Sequence, residues 1–192
     1  MMISPEGFYE CEIRGKDREG ILRVIGRLKR EMAKLKRTME HPEYGNAPIL
    51  QPSEATRLWC TRLYLERAKE ALEETGRPYE PTSAELRVMD FNANIRNISG
   101  ITLRIGGLFC VDRTYTADLN EEFLDGFARL HVGEWRRYYS PERFGYVVLD
   151  GTQWELTIEY ANGRKSFTSG GSNAYPYNFR ELTELLGMEE AE

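Results

Sequence analysis

Residues 17–39 read Asp-Arg-Glu-Gly-Ile-Leu-Arg-Val-Ile-Gly-Arg-Leu-Lys-Arg-Glu-Met-Ala-Lys-Leu-Lys-Arg-Thr-Met. Six apolar residues recur in this stretch at alternating spacings of four and three: Ile21, Ile25, Leu28, Met32, Leu35 and Met39. Side chains at these spacings lie along one side of an α-helix. The stretch therefore predicts a long helix with an apolar seam, and Asp17 is well suited to cap its N-terminus.

The same stretch is strongly basic. Ten Lys and Arg and three acidic residues lie between positions 14 and 37, so this segment carries a charge of +7 and the remaining chain −12. A basic element in an acidic protein favours a partner that is acidic at one place over indiscriminate binding of nucleic acid. The candidate partner-binding residues of the predicted helix are Arg23, Arg27, Lys29, Arg30, Lys34, Lys36 and Arg37.

A second helix is predicted after an interrupted loop. Residues 41–52 contain three prolines, and Ser53 can then cap a helix that ends before Gly76. Its apolar positions match the seam of the first helix, which predicts a helical hairpin. An alternative stays open, in which carboxylates of this second helix neutralise the basic helix: Glu66, Glu70, Glu73 and Glu74.

Two shorter patterns complete the N-terminal region. Residues 8–14 alternate between apolar and charged side chains, which is typical of a half-buried strand. Residues 77–81 are rich in proline and read as a linker. The sequence therefore predicts one domain at 1–76, a strand plus a long helical hairpin, and a second domain at 82–192.

The second domain begins with helical signals and continues with strands. Residues 82–85 have the form of a capping box, so a helix is predicted from Ser83 to about residue 93, with a strand as the competing interpretation of residues 86–91. Residues 101–115 then alternate with period two around Gly106 and Gly107, which predicts a hairpin turning at the two glycines.

The remaining elements alternate in the same way. A helix is predicted over residues 120–130, with residues 135–139 as a possible extension. Residues 146–149 are apolar and a turn is predicted at residues 150–151. The alternation from Trp154 to Tyr160 then predicts a second hairpin, in which a two-residue turn at Asn162 and Gly163 leads into residues 165–169. A short helix follows from Phe179. The fold class expected is α+β, an N-terminal helical hairpin plus antiparallel β-hairpins with covering helices.

Composition indicates a cytoplasmic protein with no membrane partner. The 192 residues are 41% hydrophobic, enough to build a core, but no apolar run approaches the roughly 18 residues that a membrane span needs. The N-terminus lacks the pattern of a signal peptide. The three cysteines are scattered, which argues against a disulfide framework and a cysteine-built metal site: Cys11, Cys60 and Cys110.

The sequence predicts no catalytic residue, no metal ligand and no cofactor. The chain has neither a P-loop nor a G-x-G-x-x-G pattern, and residues 170–173 are interpreted as a structural connection that could, at most, turn backbone N–H groups toward an anion. His131 and Glu134 are three residues apart and would share a helix face, which supplies at most two of the four ligands of a zinc site. Cys60 falls in an apolar helix, where a thiol is usually unreactive.

A second candidate surface combines aromatic rings with guanidinium groups. Trp135 and Trp154 are expected in the core, while Tyr138, Tyr139 and the neighbouring arginines are left as a possible interface. Such mixtures stack bases or form hot spots between proteins. The candidates added here are Arg136, Arg137 and Tyr138.

One part of the chain resembles known proteins. Leu-Asp-Gly-Thr-Gln-Trp-Glu-Leu-Thr-Ile-Glu-Tyr at 149–160, Asn162-Gly163, and Gly-Ser-Asn-Ala-Tyr-Pro at 171–176 resemble a tail of small uncharacterised bacterial proteins, many carried by phages and other mobile elements. Some proteins of this kind resemble or are anti-CRISPR proteins, which inhibit the effector nuclease of type II systems. The resemblance implies an inhibitor or binder, and it assigns no functional residue.

Three functional hypotheses follow. The first is a non-enzymatic interaction protein whose basic helix docks on an acidic surface of a protein or ribonucleoprotein complex, with a CRISPR effector nuclease as the concrete target. The second is a nucleic-acid-binding module, which predicts affinity that falls steeply with salt. The third is an uncharacterised hydrolase that uses residues 170–173 or the His131 and Glu134 pair.

Overall fold

The computed structural model describes residues 3–46, 51–107, 110–148 and 150–188. The chain divides into two compact units, Met1–Glu80 and Pro81–Glu192. The division falls inside the proline-rich segment that the sequence marks as a linker. In the described part of the chain, no helix is both long enough and apolar enough to cross a membrane.

The first unit is helical. Its elements are α1 (Pro5–Phe8), a π-helical turn (Tyr9–Ile13), α2 (Arg18–Met39) and α3 (Glu54–Glu73). Asp17 caps α2 by accepting a hydrogen bond of 2.8 Å from the backbone N–H of Gly20, and Ser53 caps α3. The Arg18 guanidinium, at the start of α2, donates to the carbonyl of Arg77 at 2.8 Å, beyond the end of α3. The two long helices are therefore antiparallel.

The apolar seam of α2 is internal, as the helical-hairpin prediction requires. Five of its six residues are buried and Met32 is half-buried. Ile21, Ile25 and Leu28 pack in one cluster with apolar residues of α3, and Met32 packs against that cluster. The α3 residues recur at helical spacing: Leu65, Ala68 and Leu72. Hydrophobic burial between the two helices stabilises α2 despite the unfavourable helix propensity of its two glycines.

The predicted strand at residues 8–14 is wrong. Ser4 caps a helical start by accepting from the N–H of Gly7 at 3.0 Å, and the N–H of Arg14 donates to the carbonyl of Tyr9 at 2.8 Å, closing a π-turn. The described residues of the first unit contain no other strand that could pair with this segment. A lone strand leaves its backbone groups unpaired, whereas a helical turn satisfies them within the segment.

The second unit combines helices with one sheet. Its strands and α-helices are α4 (Ser83–Ala93), β1 (Ile98–Gly107), β2 (Cys110–Thr116), α5 (Glu121–Arg129), β3 (Tyr138–Tyr139), β4 (Thr152–Tyr160), β5 (Phe167–Ser172) and α6 (Phe179–Leu185). Short 3₁₀ turns lie at Ile95–Asn97, Val132–Glu134 and Pro141–Phe144. The predicted capping box forms between Thr82 and Glu85, and α4 is a helix and not the competing strand.

The sheet has the strand order β2-β1-β4-β5-β3. All pairs are antiparallel except β3 with β5, which are parallel. One face of the sheet carries Leu103, Leu156 and Ile158, which are fully buried in one cluster with Phe127 of α5 and Leu182 of α6. The fold class is α+β, as predicted.

Two predicted turns and one predicted helix extension are wrong, because strand pairing in the folded sheet overrides these local signals. Gly106 and Gly107 lie within β1, paired with Gln153 and Thr152 of β4, and the following residues 108 and 109 are outside the described ranges. No two-residue turn forms at residues 162–163, because the hairpin pairs Ile158 with Phe167 and leaves a longer connection. Residues 135–139 do not extend α5, since their last two residues form β3.

Candidate functional site

Five cations of α2 form a single line along its solvent side, here called the basic stripe: Arg23, Arg27, Arg30, Lys34 and Arg37. Their spacings of four, three, four and three residues place them on one helix face, and all five side chains are exposed. With a helical rise of 1.5 Å per residue, the stripe is about 21 Å long. The sequence thus places two parallel lines on one helix, an apolar line inward and a cationic line outward.

Lys29 and Lys36, the other two predicted site residues of α2, lie beside the stripe and are half-buried. The Lys29 ammonium donates to the Tyr79 hydroxyl and sits 4.6 Å from the centre of the Tyr79 ring. This combined hydrogen bond and cation–π contact ties α2 to the segment after α3. Lys29 therefore helps to stabilise the first unit.

Only part of the stripe is paired with carboxylates inside the chain. Arg27 lies 2.8 Å from Glu12 and Arg23 lies 3.8 Å from Glu19. The side chains of Arg30 and Lys34 form no ion pair or hydrogen bond with any described residue. The uncompensated positive charge is consequently at the middle of the stripe.

The carboxylates of α3 have partners of their own. Glu66 pairs with Lys69 at 2.9 Å, and Arg67 lies 3.7 Å from Glu70 and 3.5 Å from Glu74. Three of the four acidic residues that were candidates for neutralising the basic helix thus contact cations of their own helix. One ion pair that does cross between the helices, Glu31 with Arg57 at 2.6 Å, brings another cation toward α2.

In the second unit, the predicted residues Arg136, Arg137 and Tyr138 are exposed at the sheet edge. Backbone bonds fix the segment, because the Ser169 hydroxyl donates to the carbonyl of Arg136 at 2.7 Å and the Gly170 N–H donates to that of Arg137 at 3.0 Å. The Tyr138 side chain is 63% exposed. Arg136 and Arg137 are therefore exposed while their backbone carbonyls are held in place.

The aromatic residues around this edge separate into core and surface. Trp135 and Trp154 are buried and meet edge to face, with ring centres 6.1 Å apart, which confirms their assignment to the core. Tyr139 is only 4% exposed, and its hydroxyl accepts from the N–H of Arg136 at 3.0 Å. The expectation that Tyr139 belongs to an interface is wrong, since alternation along β3 turns adjacent tyrosines to opposite faces.

The exposed sheet face forms a shallow groove of about 1030 Å³ around Tyr138 and Gly170. Arg104 of β1, Arg113 of β2 and Glu155 of β4 line it as well. Sequence reasoning did not select these three as site residues. The available signal for Arg104 and Glu155 was their alternation with the apolar residues of the same strands, which places them on the outer face. Arg113 is opposite Ile105, so alternation places it on the other face of the sheet.

The candidates for catalysis gain no support from their surroundings. The described residues contain no group of three or more His, Cys, Asp and Glu side chains that could hold a metal ion. Gly170 and Gly171 belong to β5 and not to a free loop. The amide of Asn173 accepts from the N–H of Thr152 at 2.9 Å and donates to the carbonyl of Asp150 at 3.1 Å, so this residue joins the ends of two strands.

Comparison of the chain with protein-family models, curated proteins and solved structures finds no match.

Proposed function

We propose that the protein is a non-enzymatic binding protein whose basic stripe docks on an acidic surface of a protein or ribonucleoprotein complex. The observation that supports this proposal most directly concerns Arg30 and Lys34, at the middle of the stripe. Their side chains form no ion pair or hydrogen bond with any described residue. Their two positive charges are available to a second molecule.

The spacing of the stripe supports a binding role because repulsion between its cations destabilises α2. Neighbouring cations at spacings of three and four residues repel each other, at about 0.2–0.5 kcal/mol per pair. The stripe contains four such pairs in succession. A surface that destabilises its own helix is explained when an acidic partner relieves the repulsion.

The shape of the stripe suits a macromolecular partner. Ala33 is exposed between the cations, and its small side chain lets another surface approach the helix closely. Because the cations form a line about 21 Å long, the partner must present carboxylates or phosphates over a comparable length. In the concrete form implied by the C-terminal resemblance, that partner is the effector nuclease of a type II CRISPR system.

The test is charge reversal with a matched control. Arg30→Glu combined with Lys34→Glu changes the net charge by four in the basic stripe. Arg87→Glu combined with Lys165→Glu makes the same change at exposed residues of the second unit. Lys29 is left intact because its loss would disturb the contact with Tyr79.

The measurement compares the wild type and both variants in pull-downs from bacteria that carry a type II system, followed by effector cleavage assays with the purified partner. We expect the wild type and the control to capture and inhibit the same effector, and the stripe variant to lose both activities while keeping its circular dichroism spectrum. Retention of the partner by the stripe variant would contradict the proposal.

Titration with labelled duplex DNA distinguishes the nucleic-acid alternative. If the stripe contacts phosphates directly, affinity for naked duplex falls steeply with salt and disappears in the stripe variant. That result would replace the protein partner with nucleic acid. We expect no saturable duplex binding at physiological salt.

A further inference from the structure

The edge strand β2 has one side that no described strand pairs. It lies at one end of the sheet order and is hydrogen-bonded only to β1, and four of its residues are exposed: Asp112, Arg113, Thr114 and Thr116. The strand at the other edge, β3, has only two residues, whereas β2 has seven. Because the backbone groups of a free edge can add a further strand, β2 is the part of the sheet best suited to bind an extended segment.

The hydrogen-bond pattern shows which backbone groups of β2 point to the free side. The N–H of Ala117 donates to the carbonyl of Ile101 at 3.2 Å, so every second pair of the β1–β2 ladder, counted from this one, is a hydrogen-bonded pair. Thr114 and Thr116 occupy the positions between those pairs. Their backbone N–H and C=O groups therefore point away from β1, and no described residue hydrogen-bonds to them.

From this edge we infer that β2 pairs antiparallel with β2 of a second copy of the chain, which joins two five-stranded sheets into one continuous sheet. The two-fold axis passes beside Thr114, so that Thr114 and the partner's Thr114 exchange both of their backbone hydrogen bonds. The edge belongs to the second unit and carries none of the residues of the basic stripe. The pairing is therefore tested independently of the proposed docking.

The side chains next to Thr114 complement each other in this register. Arg113 is opposite the partner's Tyr115 in a non-hydrogen-bonded pair, where the side chains of two strands are closest. Both lie on the same face of the sheet, since they are opposite Ile105 and Leu103 of β1. The Arg113 side chain forms no ion pair or hydrogen bond with any described residue, so its guanidinium can lie over the partner's Tyr115 ring in a cation–π contact. The two-fold symmetry forms this contact twice.

The two neighbouring registers bring like charges together. A shift that keeps the free backbone groups of the two strands opposite each other changes each pairing by two positions. In one direction Arg113 lies opposite the partner's Arg113, and in the other Asp112 lies opposite the partner's Asp118. Like charges directly opposite each other destabilise a strand pair. In the register centred on Thr114, by contrast, Asp112 lies opposite the partner's Thr116, which is uncharged.

Sedimentation velocity of the full chain tests the pairing. Because a single pair of edge strands buries little surface, we expect a weak dimer whose fraction rises between low micromolar and several hundred micromolar protein. A chain that stays monomeric over this range would overturn the inference and leave the edge to an extended segment of another protein. Assembly that continues beyond two copies would also overturn it, since two-fold pairing uses the β2 edge of both copies and closes.

Two variants at the axis locate the contact. Thr114→Pro removes an N–H that points to the free side and not one of the β1–β2 ladder, so the chain should keep its circular dichroism spectrum and become monomeric. Thr114→Lys keeps the N–H but places two ammonium groups opposite each other, and it should weaken the dimer about two- to fivefold. Dimerisation of both variants with the affinity of the wild type would overturn the inference.

The register is tested at Arg113. Because two cation–π contacts are lost together, Arg113→Ala should weaken dimerisation about 5- to 30-fold. Arg87→Ala is the matched control, since Arg87 is an exposed arginine of α4 in the same unit, and it should dimerise like the wild type. Equal dimerisation of Arg113→Ala and the wild type would overturn the register centred on Thr114.

Cross-linking gives a positive signal for the same pairing. The Cα atoms of a hydrogen-bonded antiparallel pair are about 5.5 Å apart, within the range that a disulfide spans. Thr114→Cys, made together with Cys11→Ser because Cys11 is exposed, should form a disulfide-linked dimer under mild oxidation. Arg87→Cys in the same background should remain largely monomeric. Equal cross-linking at the two positions would indicate random collisions and overturn the inference.

The stripe variant separates this dimer from the proposed docking. The Arg30→Glu, Lys34→Glu variant should dimerise like the wild type. If it is monomeric, the two copies associate through the basic stripe and the pairing of β2 is wrong. Monomeric Thr114→Pro that still captures the acidic partner would support the β2 dimer and leave the proposed docking untouched.

Discussion

The indole Nε1 of Trp135 donates a hydrogen bond of 3.0 Å to the side-chain oxygen of Asn178. The amide nitrogen of the same Asn178 donates to the carbonyl of Leu130, the residue after α5. Asn178 occupies the N-cap position of α6, but its side chain forms no capping bond. It instead connects the end of α5 to the Trp135 ring within the core.

Replacing this buried amide should destabilise the second unit. Asn178→Leu leaves the Trp135 N–H and the Leu130 carbonyl without these partners, and each unpaired buried group costs about 1–3 kcal/mol. We expect urea denaturation to show a loss of about 2–5 kcal/mol. Asn162→Ala is the control, since its exposed amide donates to Asn94 at 3.0 Å and should matter by about 0.5 kcal/mol or less. Similar losses in both variants would contradict this prediction.

Gly26 and Gly20, both in α2, should respond oppositely to alanine. A Cβ at Gly26 would be 3.7 Å from the Arg30 guanidinium, an ordinary contact. Gly26→Ala should therefore raise the free energy of unfolding by about 0.5–1 kcal/mol through helix propensity. A Cβ at Gly20 would be 3.0 Å from the carboxylate of Asp17, so the cap must shift and the gain should be cancelled. Thermal unfolding of the two alanine variants measures this difference. Equal stabilisation by both would show that a Cβ at Gly20 does not disturb the Asp17 cap.

The ion pair of Asp90 with Arg164 should make the free energy of unfolding fall in acid. The Arg164 guanidinium, which hydrogen-bonds to the Asp90 carboxylate, lowers the pKa of Asp90 below its ordinary value. The folded state then binds this proton less readily than the unfolded state, so the stabilisation is present above the ordinary pKa of about 3.9 and lost as pH falls through the lowered one.

The corresponding measurement is the urea midpoint between pH 6 and pH 3. Asp90→Asn should flatten the decline of the midpoint with acid, by a small amount because the carboxylate is exposed and screened by salt. Asp118→Asn, at another exposed aspartate of the same unit, serves as the control and should follow the wild type. A parallel decline for Asp90→Asn and the wild type would show that the pair does not contribute.

Removal of the phenol hydroxyl should affect the free energy of unfolding differently at Tyr160 and at Tyr64. The buried Tyr160 hydroxyl has no hydrogen-bond partner in the described ranges, and burial raises the pKa of this phenol. Tyr160→Phe should leave stability unchanged or raise it by up to about 1 kcal/mol. The Tyr64 hydroxyl donates to the carbonyl of Ile3 at 2.7 Å and accepts from its N–H at 3.2 Å, so Tyr64→Phe should cost about 0.5–1.5 kcal/mol. Chemical denaturation in which Tyr160→Phe is the more damaging change would exclude this account.

Local patterns predicted the helices well because long periodic signals and caps act within one segment. The seam from Ile21 to Met39, the Asp17 cap and the capping box at Thr82 all form as expected. The short alternation at residues 8–14 failed, since seven residues cannot specify a strand when no neighbour offers unpaired backbone groups.

The candidate surfaces were predictable in unequal measure. The basic stripe follows from spacing alone, but the role of Lys29 did not, because Tyr79 lies fifty positions away in the chain. The sequence alone did not show that Tyr138 is paired with Gly170, or Gly170 with Glu155, on neighbouring strands. Such register is a property of the assembled sheet. Four glycines that suggested a turn or a loop lie inside its strands: Gly106, Gly107, Gly170 and Gly171.

The spacing of the basic stripe also determines the path that a partner must follow. Four-and-three spacing repeats every 3.5 residues, whereas a straight α-helix has 3.6 residues per turn, so the cations drift around α2 by about 20° per heptad. A rigid, straight rod of negative charge laid along α2 would therefore not follow all five cations of the basic stripe. A partner helix that coils around α2 in a left-handed sense would stay with it, which makes an acidic helix with a heptad repeat the best geometric match.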